Sequence, residues 1–322
     1  MAYQLTLEER ERISQMHYAH FTNAEIAEEL GRHRATIGRE LARNSLAGEY
    51  RAVAAHEQSR QRRLGRPLVR KLERPEVAEF VRSHLVRYWS PDQIAGRAKR
   101  DFPQARDRQV SHQTIYAWIR ALPTDDRRRF KGFLRFAGRR RPADDRRGRL
   151  PNQVSIEGRP KVVDERRRYG DWEGDTVVGA KRSGAILTLV ERKSGYLLTA
   201  KSCDRKARRV AGKIASRLGS LPAKLLRTVT FDNGKEFAEH ERLEASLRTK
   251  VYFAQPYCSW QRGSNENTNG LLRQFIPKGA DFRQTSWQEL THYTQLLNDR
   301  PRKRLGYQTP AEVFEPLVAI ES

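Results

Sequence analysis

Cysteine is scarce in this 322-residue chain, which holds only Cys203 and Cys258. Two are too few for a disulfide framework or a cysteine-rich zinc site. The eight histidines show no ligand spacing, so any metal is expected to be a hard one held by oxygen. No run of about 18 apolar residues occurs, which excludes a helix spanning a bilayer. The opening MAYQLTLEER lacks the charged-then-apolar order of a secretion signal, and an intracellular protein is expected. Acidic residues are outnumbered, 39 Asp plus Glu against 63 Lys plus Arg, for a net charge of +24. That imbalance implies a polyanionic partner.

The basic charge is uneven. Residues 1–170 carry 38 basic and 22 acidic side chains, leaving 25 and 17 for residues 171–322. The front half is therefore the expected DNA-gripping half. Length allows two or three domains. The residue pattern divides the chain into a helix-turn-helix module over 1–48, a helical and basic linker over 49–74, a second helix-turn-helix module over 75–122, a basic connector over 123–168 and an α/β domain over 169–322.

Thr6 with Glu9, and Thr22 with Glu25, have the spacing of capping boxes. After the second, Ile26, Ala27 and Leu30 form an apolar face, Gly31 breaks the helix, and Ile37 and Leu41 continue a stripe on the next. That is helix-turn-helix spacing, with a small residue at the crossing and glycine at the turn. The second helix would expose Arg34, Thr36, Arg39 and Arg43 toward phosphates and base edges in a major groove. A similar arrangement returns in WSPDQIAGRAKRDFPQARDRQVSHQTIYAWIR. Ser90 caps, Pro91 fits the first helical position and Gln93 completes a box. Ser111 caps a later helix with Ile115 and Ile119 inward and His112, Gln113 and Thr114 outward. Arg127 to Arg149 holds eleven basic and two acidic residues, too charged to bury, and reads as an extended or disordered segment that tracks DNA.

From Tyr169 the pattern becomes three short β-prone segments separated by glycine turns, then helix, strand, helix, strand, helix. This is the order of a ribonuclease-H-like fold. In DWEGDTV, residues 171, 173 and 175 alternate onto one strand face while Trp172 points the other way. Asp232 sits where a strand meets a turn made by Asn233 and Gly234. Glu266 lies in YCSWQRGSNENTNGLLR, in the first turn of a helix from about Ser264 to Ile276. Three such acids converge only through tertiary folding.

If they converge, mutual repulsion makes the cluster tolerable mainly around divalent cations. Two Mg²⁺ ions about 4 Å apart can activate a water or 3′-hydroxyl and stabilise the leaving oxygen of a phosphodiester. Asp175 would bridge both ions, Asp232 and Glu266 would each hold one, and Arg273, two turns beyond Glu266, could clamp the phosphate. Tyr257 and Trp260 read as packing the loop that leads into the helix.

WEGDT at 172–176, TFDNG at 230–234 and QRGSNENTNGLLRQF at 261–275 resemble the DDE signature of insertion-sequence transposases of the IS-thirty family, relatives of retroviral integrases. The 33 residues between Asp232 and Glu266 match the family interval. NDRPRKRLGYQTPAEVF resembles the segment that closes such domains, and WSPDQIAG and VSHQTIYAWI resemble the family's front modules. The resemblance implies a multidomain chain: all-α helix-turn-helix modules, then an α/β ribonuclease-H-like, retroviral-integrase-like catalytic domain. It further implies a transposase that binds terminal inverted repeats, cleaves the element's ends and joins them to target DNA with Mg²⁺ or Mn²⁺. Such a protein would be bacterial and cytoplasmic, working as a homo-oligomer on paired ends. Choosing Asp175 over its face-mates Asp171 and Glu173 rests partly on this resemblance, with Glu173 in reserve. A sequence-specific regulator and a nuclease that cuts without joining stand as alternatives.

Overall fold

The structure, a computed structural model, describes residues 4–45, 48–64, 71–134, 150–180, 183–255 and 258–321. Part of the expected connector, residues 135–149, lies outside the described residues. The chain divides into two compact units, residues 1–70 and 71–322.

The first unit contains α1 (Leu7–Tyr18), α2 (Asn23–Glu29), α3 (Arg34–Asn44) and α4 (Ala52–Leu64). Both expected capping boxes are formed, with Thr6 and Thr22 each accepting from the amide three residues on. Ile13, Ile26, Ala27, Ile37 and Leu41 meet in one core. Here the structure departs from the expected linker over 49–74: Tyr50 and Ala55 belong to that same core, and α4 packs along α1. The sequence marks the stretch as helical, but only tertiary contact assigns it to this unit. Arg10 interrupts the apolar stripe of α1 and is nearly buried. It pairs with Glu40 of α3 at 2.7 Å, and Tyr50 also donates to Glu40. A buried pair of this kind fixes which faces meet more than it adds stability.

The second unit begins with α5 (Pro75–Leu85), α6 (Pro91–Asp101), α7 (His112–Ala121) and α8 (Thr124–Gly132). Val81, Leu85, Trp89, Ile94, Ile115, Ile119 and Phe130 form their core. The Ser90–Gln93 box is present and Ser111 caps α7. The start of the expected connector is thus the helix α8, because Phe130 supplies an apolar anchor amid its arginines.

After the short α9 (Lys161–Asp164) come β1 (Asp171–Val178), β2 (Ala185–Glu191), β3 (Leu197–Ser202), α10 (Ala207–Leu218), β4 (Thr228–Phe231), α11 (His240–Leu247), β5 (Lys250–Phe253), α12 (Gly263–Leu272), α13 (Trp287–Asn298) and α14 (Pro310–Glu321). The sheet order is β3-β2-β1-β4-β5, with β1, β2 and β3 antiparallel and β4 and β5 parallel to β1. One face packs Trp172, Leu187 and Val229 against Val210 and Ile214 of α10 and Leu243 of α11. The other packs Val177, Ile186 and Val190 against Leu271 and Leu272 of α12 and Leu290 and Leu297 of α13. Helices on both faces leave the strand ends as the place where polar side chains can gather.

The closing segment holds α6 in place. Gln93 donates to the Pro301 carbonyl at 2.8 Å, Arg97 pairs with Glu312 at 2.7 Å, and the Tyr307 ring lies against Gly96. Among the described residues no helix is long and apolar enough to cross a membrane.

Candidate active site

Alternation along β1 assigns its residues to two environments. Trp172 is fully buried in the core and donates its indole N–H to the Leu225 carbonyl at 2.9 Å. Gly174 lies on the same side, where a Cβ would stand 2.3 Å from the Phe231 ring. Glu173 and Asp175 face α12. The parallel register pairs Glu173 with Thr230, and two residues further along both strands are Asp175 and Asp232. Strand pairing therefore brings together two acids 57 positions apart.

Asp232 begins a tight turn in which its Oδ1 accepts from the Gly234 amide at 3.0 Å. Buried Asn233 ties the turn to the end of β5 by donating to the Ala254 carbonyl at 2.8 Å. A Cβ on Gly234 would lie 2.7 Å from the Glu236 carboxylate and 2.9 Å from Asp232 Oδ1. Only glycine leaves room for both acids. Asp175 accepts from the Thr176 amide and from Asn269 Nδ2 of α12, each at 2.8 Å. Burial pushes its pKa up to about 6, with the neighbouring Asp232 charge adding to the rise and Arg262 opposing it.

Arg262 was not singled out by sequence reasoning. Its Nη2 stands 3.6 Å from Asp175 Oδ2 and 3.6 Å from Asp232 Oδ2, while Nη1 donates to the Gly174 carbonyl at 3.0 Å. Glu236 was also missed. It accepts from Arg205 at 2.7 and 2.8 Å and from the Thr176 hydroxyl at 2.7 Å. Burial raises its pKa, but those hydrogen bonds outweigh burial and leave it below the ordinary value. A sequence signal existed for Glu236, four positions after Asp232 in DNGKEF. Nothing local marks Arg262 as different from other arginines of this basic chain.

The reserve residue Glu173 is fully buried, paired with Arg192, and accepts from the Asn265 amide at 2.9 Å. It holds the first turn of α12 against the sheet. Asp171 is bound by Arg168 at 2.9 Å and Thr228 at 2.8 Å. Neither opens onto the space between Asp175 and Asp232. Glu266 is exposed in the first turn of α12, four residues after Arg262 and three before Asn269. Among the described residues, no three His, Cys, Asp or Glu side chains stand close enough together to hold a metal ion. The structure thus joins the two aspartates, with Glu266 outside a three-carboxylate cluster. Arg273 is not brought to the pair; it donates to the carbonyls of Val178 at 2.8 Å and Pro277 at 3.2 Å.

Of the residues expected to face DNA, Arg34, Arg39 and Arg43 are exposed on α3, with Thr36 partly covered. His112 and Gln113 are exposed on α7, whereas Thr114 is partly buried and its hydroxyl is 2.8 Å from that of Ser111. Tyr257 and the Trp260 side chain lie outside the described residues.

A helix-turn-helix domain family matches residues 3–44, the span of α1 to α3. Over nearly the whole chain the sequence is similar to three insertion-sequence transposases. That of element IS1086 from Cupriavidus metallidurans is 40% identical, over 98% of this chain and 95% of the relative. That of IS4351 from Bacteroides fragilis is 38% identical, over 99% and 97%. The transposase InsI of IS30A from Escherichia coli K12 is 36% identical, over 98% and 84%. The chain belongs to the IS-thirty family of insertion-sequence transposases. The matched helix-turn-helix domain and the net charge of +24 both fit a protein that binds DNA.

Proposed function

We propose that the chain is a DDE transposase that binds the terminal inverted repeats of its element, cleaves the ends and joins them to target DNA. The observation that carries this reading is the Asp175–Asp232 pair, level on adjacent parallel strands and sharing one cation. The mixed sheet order β3-β2-β1-β4-β5 with helices on both faces supports a ribonuclease-H-like, integrase-like catalytic domain. The donor set fits hard divalent cations: it is all oxygen, each carboxylate keeps 21% of its side chain open to solvent, and it already draws a positive group between its two acids. Asp175 and Asp232 would hold two Mg²⁺ or Mn²⁺ ions together with Glu266, brought in from the first turn of α12. Bound there, the ions supply Lewis-acid activation of the attacking oxygen and stabilisation of the leaving one.

The chain's own residues supply position. Asn269 orients one oxygen of Asp175, Gly234 and Asn233 fix Asp232, and Glu173 anchors the turn that carries Glu266. Arg34, Thr36, Arg39 and Arg43 grip the duplex at the front, with His112, Gln113 and Thr114 near a second stretch. Work on paired ends implies a homo-oligomer in the cytoplasm.

Incubation with labelled end DNA and Mg²⁺ tests the reading. Joined products are expected. Cleaved ends without joining would indicate a nuclease, and binding without cleavage a regulator.

A further inference from the structure

Arg262 occupies an unusual position for an ion-pairing arginine. Its Nη2 is equidistant from two carboxylates, at 3.6 Å from each, beyond hydrogen-bond length to both. Its directional bond goes elsewhere, from Nη1 to the Gly174 carbonyl of β1 at 3.0 Å. The side chain is only 12% exposed. The other acid nearby, Glu236, is satisfied by Arg205 and Thr176 and does not compete for it. The guanidinium is therefore centred on the pair by charge and tethered by backbone, as a counter-ion rather than a partner of one acid.

We propose that Arg262 is a built-in counter-ion of the catalytic pair, holding the cation position in the metal-free chain and displaced from it when the divalent ion binds. This inference rests on the metal-site reading above. The charge relations support it. Two carboxylates carry −2, one guanidinium leaves −1, and a divalent ion neutralises the pair fully with the short oxygen contacts a guanidinium does not make. Location supports it too. Arg262 ends the single helical turn Ser259–Arg262 immediately before α12, so it is attached one turn ahead of Glu266. The arginine would stabilise the fold before DNA and metal arrive and would oppose metal binding in proportion to its hold.

The test is a mutant cycle in EDTA followed by Mn²⁺ titration of the full chain, using wild type, Arg262→Gln, Arg262→Lys, Asp175→Asn/Asp232→Asn and the triple variant. In EDTA, Arg262→Gln should lower the melting temperature more in the wild-type background than in the double-Asn background, where only the bond to the Gly174 carbonyl is left to lose. Calorimetry should show Arg262→Gln binding Mn²⁺ about fivefold more tightly than wild type, the scale of losing one partly screened competing ion pair. Arg262→Lys should lie between them. An equal loss of melting temperature in both backgrounds, or no gain in Mn²⁺ affinity, would overturn the proposal while leaving the metal site standing. Equal Mn²⁺ binding by wild type and the double-Asn variant would overturn the metal site and the displacement together.

Discussion

Asp175 is held between opposing effects: burial and the charge of Asp232 favour its proton, whereas Arg262 favours its loss. With its pKa raised to about 6, the folded chain keeps a proton that the unfolded chain releases near the ordinary value of 3.8. Stability contributed by this group therefore falls as pH rises from about 4 through about 6. Metal binding and strand cleavage should rise across the upper part of the same window, as the carboxylate becomes free to take a cation. Titration of the metal-free chain is expected to find the Asp175 carboxyl raised above its ordinary value to about 6; a value at or below 3.8 would contradict the assignment. Asp232→Asn should keep affinity for end DNA but lose cleavage and joining. The loss should exceed the roughly 100-fold typical of removing a supporting residue around a metal. Intact joining in that variant, read on labelled ends, would contradict its role.

At the scale of elements, the turn after β4 is the most constrained piece of the site. Gly234→Ala should leave the sheet folded yet reduce cleavage, because the added methyl pushes Glu236 or Asp232 out of place; circular dichroism alongside the cleavage assay checks both parts. Removing the α2 cap with Thr22→Ala should cost about 1 kcal/mol of stability in the first unit, measured by denaturant titration. These elements were legible because their signals are local. Capping boxes, a period-two run with Trp172 opposite the acids, and DNG at a strand end are all written within a few residues of where they act. The membership of α4 in the first unit was not, since Tyr50 and Ala55 declare their core only once α1 is placed. The place of Arg262, and the bond from the Asn265 amide that gives Glu173 a structural part instead of its reserve catalytic one, were hidden for the same reason. Their roles depend on partners tens of positions away, on a sheet whose order the sequence does not print.

For the whole molecule, the matched helix-turn-helix domain lies in the first unit and the acid pair in the second, so binding through α3 and chemistry should separate by mutation. Arg39→Ala should weaken binding to the terminal repeat by about 1–3 kcal/mol if it reads a base. Unchanged footprints would count against that. The contact of α6 with the closing segment ties the second helical module to the α/β part of the same unit. The pairing of WSPDQIAG with RPRKRLGYQTP across 200 residues was readable as two motifs but not as one contact. The reading as a whole depends on two strand acids and a helix acid closing around hard cations. The most direct measurement is Mn²⁺ anomalous diffraction from crystals grown with end DNA. The account predicts manganese peaks about 2.2 Å from oxygens of Asp175 and Asp232, with Glu266 turned in as a further ligand and Arg262 moved aside. Manganese absent from that pair, or bound there with Glu266 still facing solvent, would contradict it.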